Sequence, residues 1–176
     1  MDMRRSLLAV GLIASLLVLA GCGGGATTAT TGTQAETPPA AGSQTPAEPS
    51  PAAMGKPATA GDWTITVKNV ARAETAGGGS PSAGNELLVI TYELTNGGAA
   101  GKGNGPTDFT LADAGGATFQ AAPTGDPKFI FNTQQPIKAG ETREILIAYD
   151  VTKGAGPFVW TFSPFGAPKP AVLEVE

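Results

Sequence analysis

Apolar and polar residues alternate along the chain from Trp63 onward. Within residues 63–68 every second side chain is apolar, and a two-residue period recurs in several later segments. This period is typical of β-strands that have one buried and one solvated face. The predicted strands cover residues 63–68, 88–95, 144–151, 158–163 and 171–176, with shorter candidates at Phe109 with Leu111 and at Phe119.

Turn-forming sequences separate these segments. They occupy residues 96–98, 113–116, 138–140 and 153–157, where Gly, Asn, Asp and Pro are concentrated. No segment of helical length keeps a 3.6-residue period. Six to eight short strands in about 115 residues predict an all-β fold, an antiparallel two-sheet sandwich, with a small barrel as the alternative.

The aromatic residues of these strands fall on their apolar faces. Trp63, Phe158, Trp160 and Phe162 are therefore predicted to lie in the core rather than to form a platform that stacks on sugars.

A second aromatic segment, Phe129-Ile130-Phe131, stands between prolines, where a loop and a strand are equally compatible with the sequence. If this segment is exposed, it is a candidate contact patch.

The N-terminus has a different pattern. Arg4 and Arg5 precede an apolar run from Leu7 to Leu19, which is the layout of a secretory signal. As a helix this run would rise only ~20 Å, against a hydrocarbon core of ~30 Å. A cleaved signal over residues 1–21 is therefore favoured over a transmembrane helix.

The apolar run ends in Leu19-Ala20-Gly21-Cys22. This sequence resembles the lipobox of bacterial lipoproteins, in which the cysteine thiol receives a diacylglyceryl group and a peptidase cuts just before it. The resemblance implies that Cys22 begins the mature chain and that its lipid holds the protein on the extracytoplasmic face of the cell membrane. The alternative is an ordinary secreted protein with a chance cysteine at the cleavage point.

Residues 22–60 are dominated by Gly, Ala, Thr, Pro, Ser and Gln. Such a segment cannot bury enough apolar surface to offset its ordering entropy. It is predicted to be a disordered tether with a root-mean-square reach of about 35 Å. The predicted organisation is a signal peptide at 1–21, a tether at 22–60 and a β-sandwich at 61–176.

The composition of the chain excludes several kinds of catalytic and metal-binding site. The chain has no histidine, and Cys22 is its only cysteine. Ser-His-Asp, Cys-His and histidine-based zinc sites are therefore excluded, and neither an enzyme nor a cofactor is predicted. The net charge of −4 becomes −5 when Asp2, Arg4 and Arg5 leave with the signal. This balance argues against nucleic acid as a partner and against electrostatic attachment to anionic lipid.

An ordered series of short features resembles a known family. The features are residues 61–63, 85–90, 94–96, 108–111, 139–142, 149–151 and 160–164. Their order is similar to that in the family of the domain of unknown function 4352. The resemblance implies an immunoglobulin-like β-sandwich, often carried by bacterial lipoproteins and similar in fold to secreted immunoprotective antigens. It implies no catalytic residues, and the segment Gly97 to Gly105 is an insert longer than a tight hairpin needs.

Three aspartates near predicted loops, Asp108, Asp113 and Asp126, carry the oxygen ligands that calcium prefers. Their spacing matches no calcium-binding loop, so they are predicted to cap turns and no metal site is expected.

Two pairs of glutamates, Glu86 with Glu93 and Glu141 with Glu144, offer the two carboxylates of a glycosidase acid–base pair. That role needs a cleft with the carboxylates ~5–9 Å apart, and these residues lie at strand ends or on polar faces.

The glycine-rich stretches 77–79 and 101–105 lack the strand, Gly-Lys-Ser/Thr sequence and helix of a phosphate loop, so they are predicted to be flexible loops.

Three hypotheses of function follow. The first is a lipid-anchored binding or structural module of the bacterial cell envelope, whose partner is an envelope protein, a wall polymer or a host surface. The second is a solute- or calcium-binding carrier or sensor, with its ligand held by Asp108, Asp126 and loop carbonyls at one end of the sandwich. The third is a peptidase inhibitor, which the glycine-rich loops disfavour because ordering them costs affinity.

Overall fold

The computed structural model describes residues 50–132 and 135–176. The predicted signal peptide, the lipobox with Cys22 and most of the predicted tether lie outside these residues. The strands are β1 Pro57–Ala60, β2 Trp63–Ala73, β3 Asn85–Asn96, β4 Phe109–Asp113, β5 Thr118–Phe119, β6 Thr142–Thr152, β7 Phe158–Phe162 and β8 Ala171–Val175, with a 3-10 helix, Pro106–Asp108, before β4. Within the described ranges, no helix has the length and apolar character needed to cross a membrane.

The strands form two four-stranded sheets. One sheet has the order β1-β2-β3-β6 and the other β5-β4-β7-β8, and every strand pairing within them is antiparallel. The predicted immunoglobulin-like β-sandwich is confirmed. Each predicted strand is present, and most extend beyond the alternating residues that revealed them.

The core lies between the two sheets. Trp63, Phe158, Trp160 and Phe162 are all buried in it, as the alternation predicted. Phe109 stacks on the rings of Trp160 and Phe162, with centroids 5.0 and 4.7 Å apart. These aromatic side chains join strands β2, β4 and β7 around one centre.

The segment after β5 packs against β6, and this corrects the prediction for residues 129–131. The backbone of Ile130 donates to Leu146, and that of Leu146 donates to Lys128, so the segment covers the free edge of β6. Phe129 and Ile130 are only 4% and 3% exposed, and Phe131 is half-buried. The proposed exposed contact patch is therefore wrong.

The burial of Phe129 has a physical reason. Strand β3 carries Leu87 and Val89, and β6 carries Ala148, so an apolar area faces away from the main core. Phe129 packs on this area and forms a second small core with it. The packing removes both the apolar area and the edge of β6 from water, and an uncovered strand edge invites aggregation.

The folded domain begins earlier than the predicted boundary at residue 61. Strand β1, Pro57–Ala60, lies inside the predicted tether and pairs along its full length with β2. Before it, the backbone of Ala52 exchanges hydrogen bonds with Val172 and Glu174 of β8. Small residues with no alternation give β1 no hydrophobic signature, so its strand pairing was not visible in the sequence.

The two ends of the sandwich are formed by different loops. We call the end with residues 61–62, 97–108, 135–143 and 163–170 the near pole. The end with residues 72–86, 113–117, 150–157 and Glu176 is the far pole. The strand registers assign the loops: Trp63 pairs with Asn96 at the near pole, and Ala73 pairs with Leu87 at the far pole.

Candidate functional site

A groove crosses the near pole of the sandwich. It consists of two hollows of about 520 and 490 Å³, and Trp63, Lys102 and Phe165 line both. One hollow is completed by Gly103, Asn104, Gly105, Thr107, Asp108 and Pro164, and the other by Ala60, Gly61, Asp62, Gly166, Ala167 and Pro168. The shared lining residues join the two hollows, and the exposed aromatic side chain of Phe165 stands beside both.

The wall of the groove is held by a buried asparagine. Asn96, at the end of β3, is fully buried, and its Nδ2 donates to the carbonyls of Ala100 and Ile137 over 2.8 and 2.9 Å. Its Oδ1 accepts a hydrogen bond from Gly98. A buried amide needs such partners, because an unsatisfied polar group costs free energy. Asn96 thereby holds the glycine-rich insert against residue 137 and makes it a structured wall.

Phe165 stands at the rim with its ring in solvent. Its exposed fraction of 103% is the highest among the large apolar side chains of the described residues. The alternation of β7 ends at Phe162, and Pro164 follows, which cannot donate to a strand ladder. A turn then closes through a hydrogen bond from Ala167 to the carbonyl of Pro164 and carries Phe165 at its tip.

Sequence reasoning missed Phe165. The alternation of Phe158, Trp160 and Phe162 predicts buried positions, and Phe165 lies beyond the end of that alternation. The available signal was an aromatic residue placed between Pro164 and Gly166, where turn residues remove it from either face of a strand.

The polar groups of the groove include donors and acceptors. Lys102 lines both hollows, and its Nζ lies 2.5 Å from Oδ2 of Asp62, which lines the second. Asp108 accepts a hydrogen bond from Gly105 through one carboxylate oxygen, at 2.8 Å. The Nδ2 of Asn104 is buried, and no described residue accepts a hydrogen bond from it. The accessible polar groups, the Lys102–Asp62 ion pair above all, lie beside the exposed ring of Phe165, so the groove can accommodate a ligand that has polar groups next to an apolar one.

The structure does not bring the three candidate metal ligands together. Asp108 and Asp113 flank the ends of β4, five residues apart, which is ~16 Å in a strand. Asp126 lies in the segment that covers β6, where its carboxylate accepts from the backbone of Lys128. Asp113 accepts from Gly115 and Ala117 in the same way. Each aspartate caps a turn, and no group of three possible metal-ligating side chains occurs in the described ranges.

Three of the four candidate glutamates, Glu86, Glu93 and Glu141, form ion pairs on the surface. Glu93 and Glu144 are directly opposite each other on neighbouring strands, and Lys68 lies 3.3 Å from Glu93. Arg143 lies 2.8 Å from Glu141. The backbone N–H of Lys138 and then Arg143 hold the pKa of Glu141 below its usual value. A carboxylate stabilised in its ionised form is a poor general acid.

The fourth glutamate, Glu86, belongs to an ion-pair cluster at the far pole. Arg72 binds Glu86, Glu176 and the carbonyl of Ala155. The backbone N–H of Gly154 and then Arg72 lower the pKa of Glu86. This cluster joins β2, β3 and the C-terminal residue, so its role in the fold accounts for it.

The family model of the domain of unknown function DUF4352 matches residues 52–169 of this chain. The match begins at Ala52, where the backbone first pairs with β8. A comparison with curated proteins gave no match.

Solved structures of three bacterial proteins are similar. The yjhA protein from Bacillus subtilis has a TM-score of 0.58 at 15% identity, with 71% of this chain and 99% of that chain covered. The secreted protein MPT63 from Mycobacterium tuberculosis has a TM-score of 0.55 at 16% identity, with 72% and 98% covered. The Bacillus subtilis protein ycdA, described as a candidate lipoprotein, has a TM-score of 0.54 at 17% identity, with 68% of this chain and 38% of that chain covered.

Proposed function

The chain belongs to the DUF4352 family, and from this premise we propose that it is a lipid-anchored binding module on the extracytoplasmic face of the bacterial cell envelope. The proposal assigns binding to the near-pole groove. The exposed ring of Phe165 carries it, because this ring stands fully in solvent at the rim of a groove with polar groups around it, which is the anatomy of a contact site.

The sequence supports the anchor. Cys22 directly follows the predicted signal and is the only cysteine, so it has no other thiol to pair with. An extracytoplasmic place also agrees with the fold shared with a secreted protein and with a candidate lipoprotein. Lipidation of Cys22 predicts that Cys22→Ser leaves the domain folded but releases it from the membrane or stalls it uncleaved there.

A binding role fits the side chains better than catalysis. The groove holds one ion pair, one carboxylate that caps a 3-10 helix and an amide, and the chain has no histidine. Binding by an exposed aromatic residue with polar groups around it is the usual anatomy of a contact site. The separation of Asp108 from Asp126 removes the support for a calcium carrier, and no structural observation favours a peptidase inhibitor.

The test measures binding of the purified mature chain to envelope fractions of the source cells. We expect saturable binding that falls at least tenfold in Phe165→Ser. Met54→Ser is the matched control, because Met54 is a 56% exposed apolar side chain in the turn before β1. Binding that stays linear with concentration, or that is equal in the two variants, would contradict the assignment of the groove.

A further inference from the structure

The near-pole groove lies at the end of the domain where the first described residues approach strand β8. The N–H of Ala52 donates to Val172 over 2.8 Å, and its carbonyl accepts from Glu174 over 2.9 Å. This bridge is parallel, and β8 runs from the near pole to the far pole. The backbone before Ala52 therefore arrives from the near-pole side, so Ser50 lies on that side of the contact.

The predicted tether sets how far this end can move from the anchor. Twenty-seven residues lie between Cys22 and Ser50. A flexible chain of that length has a root-mean-square span of about 30 Å. A lipid on Cys22 would keep the near pole at an effective concentration in the ~millimolar range at the bilayer surface.

Charge is distributed unequally between the poles. The near pole carries four basic and three acidic side chains: Lys102, Lys138, Arg143 and Lys169 against Asp62, Asp108 and Glu141. The far pole carries two basic and five acidic side chains: Arg72 and Lys153 against Glu74, Glu86, Asp113, Asp150 and Glu176. An anionic surface therefore attracts the near pole and repels the far pole, although the whole chain is acidic.

Two near-pole lysines are available for such a surface. Lys102 and Arg143 are paired with Asp62 and Glu141. Lys138 and Lys169 are exposed, and neither side chain forms an ion pair within the described residues. The carboxylate of Glu141 accepts a hydrogen bond from the backbone N–H of Lys138 and lies within reach of its charge, so Lys169 is the freer of the two. They lie in the loops that flank the groove, on the same end of the domain as Phe165.

We propose that the partner of the near pole is the surface of the lipid bilayer that holds the anchor. Phe165 inserts among the acyl chains, and Lys138 and Lys169 face the headgroup phosphates. This inference rests on the proposed function, because it needs the lipid on Cys22.

The strength of the contact suits a tethered domain. Burial of one phenyl side chain raises the ratio of docked to undocked protein roughly 10- to 100-fold. That factor is too small to recruit a free protein from dilute solution. It is large enough to orient a domain that the tether already holds at the surface.

The experiment uses the mature chain, residues 22–176, coupled through the single thiol of Cys22 to a maleimide lipid. The vesicles contain phosphatidylcholine and phosphatidylglycerol with brominated acyl chains, which quench tryptophan that enters the bilayer. Phe165→Trp places the reporter at the groove. Val159→Trp is the matched control, because Val159 is 36% exposed on the outer face of β7, away from the near pole.

We expect Phe165→Trp to lose at least twice the fraction of its fluorescence that Val159→Trp loses. The native Trp63 and Trp160 are buried and contribute equally to both variants. Unchanged melting temperatures would show that both variants fold. Equal quenching in the two variants would overturn the inference.

The binding test of the proposed function separates the two ideas. If bromolipid quenching is equal while Phe165→Ser still loses binding to a lipid-free envelope fraction, the groove binds a protein or wall polymer and only the bilayer inference fails. If Phe165→Ser binds the complete envelope fraction and the lipid-free fraction as strongly as the unmodified chain does, the proposed function fails as well.

Discussion

The indole Nε1 of Trp160 in β7 donates a 2.7 Å hydrogen bond to the hydroxyl of Tyr149 in β6, inside the core. The two strands belong to different sheets, so this bond joins the halves of the sandwich. Both side chains are fully buried, and burial raises the pKa of Tyr149 far above its usual value. The hydroxyl therefore stays neutral and is available to the indole.

Tyr149→Phe is expected to lower the free energy of unfolding by about 1–3 kcal/mol, because it leaves the buried indole N–H without an acceptor. Tyr92→Phe is the matched control. Tyr92 is equally buried, but no described residue bonds its hydroxyl. Removal of this hydroxyl should leave the free energy of unfolding unchanged or raise it. Urea unfolding measures both variants, and an equal effect of the two would contradict the importance assigned to the bond.

Phe129 and Phe165 are the same residue type in opposite environments. Phe129 is 4% exposed in the second core, whereas Phe165 is fully exposed. We expect Phe129→Ala to cost about 3–5 kcal/mol through lost burial and the cavity left behind. Phe165→Ala should stay within about 0.5 kcal/mol of the unmodified chain. Thermal or urea unfolding of the two variants decides this, and a small effect at residue 129 would show that the segment does not pack on β3 and β6.

The domain boundary can be tested by truncation. A chain that starts at Gly61 lacks β1 and the backbone hydrogen bonds of Ala52 and Gly55 with β8 and β2. At ~1 kcal/mol for each of these three bonds, we expect a loss of about 3 kcal/mol or more relative to a chain that starts at Ser50. The shorter chain should also aggregate, because the edge of β2 is exposed. Equal melting temperatures of the two chains would show that β1 does not contribute to the stability of the domain.

Acid should weaken the domain through three surface carboxylates. The backbone N–H of Gly154 and Arg72 lower the pKa of Glu86, and the hydroxyl and N–H of Ser82 and the amide of Asn85 lower that of Asp150. The pKa of Glu141 is lowered as well. A lowered folded-state pKa stabilises the fold above the unfolded-state pKa and loses this effect as the pH falls through the folded-state pKa.

The free energy of unfolding is therefore expected to decline as the pH falls below the ordinary carboxyl values, 4.5 for Glu86 and 3.8 for Asp150. Glu86→Gln should make this decline shallower in urea titrations at a series of pH values. Glu74→Gln is the control, because Glu74 is an exposed carboxylate in the neighbouring loop. A steeper decline in Glu86→Gln than in the control would contradict the expected direction of the contribution of Glu86 to the pH dependence of stability.

Local pattern accounts for most of the fold. Alternation at residues 63–68, 88–95, 144–151, 158–163 and 171–176 predicted five strands and their buried faces, because the side chains of a strand point to opposite sides with a period of two. The same logic placed Trp160 and Phe162 in the core. It failed at β1, where small residues make strand identity depend on a partner strand.

The sites could not be predicted from the pattern. Whether Phe129 is buried and Phe165 exposed depends on which loops cover which surfaces, and this requires the packing of segments far apart in sequence. The turn-capping roles of Asp108, Asp113 and Asp126 were visible as turn chemistry, whereas their separation in space was not.

The sequence by itself determined the all-β class, the core faces of five strands and the absence of histidine chemistry, because these follow from composition and from contacts between neighbours in the chain. It also predicts the lipid-bearing Cys22, which lies outside the described residues. Only the tertiary structure decided that Phe165 rather than Phe129 meets the solvent, and that the groove shares its pole with the incoming chain at Ser50. Both depend on long-range strand pairing, which no local pattern encodes.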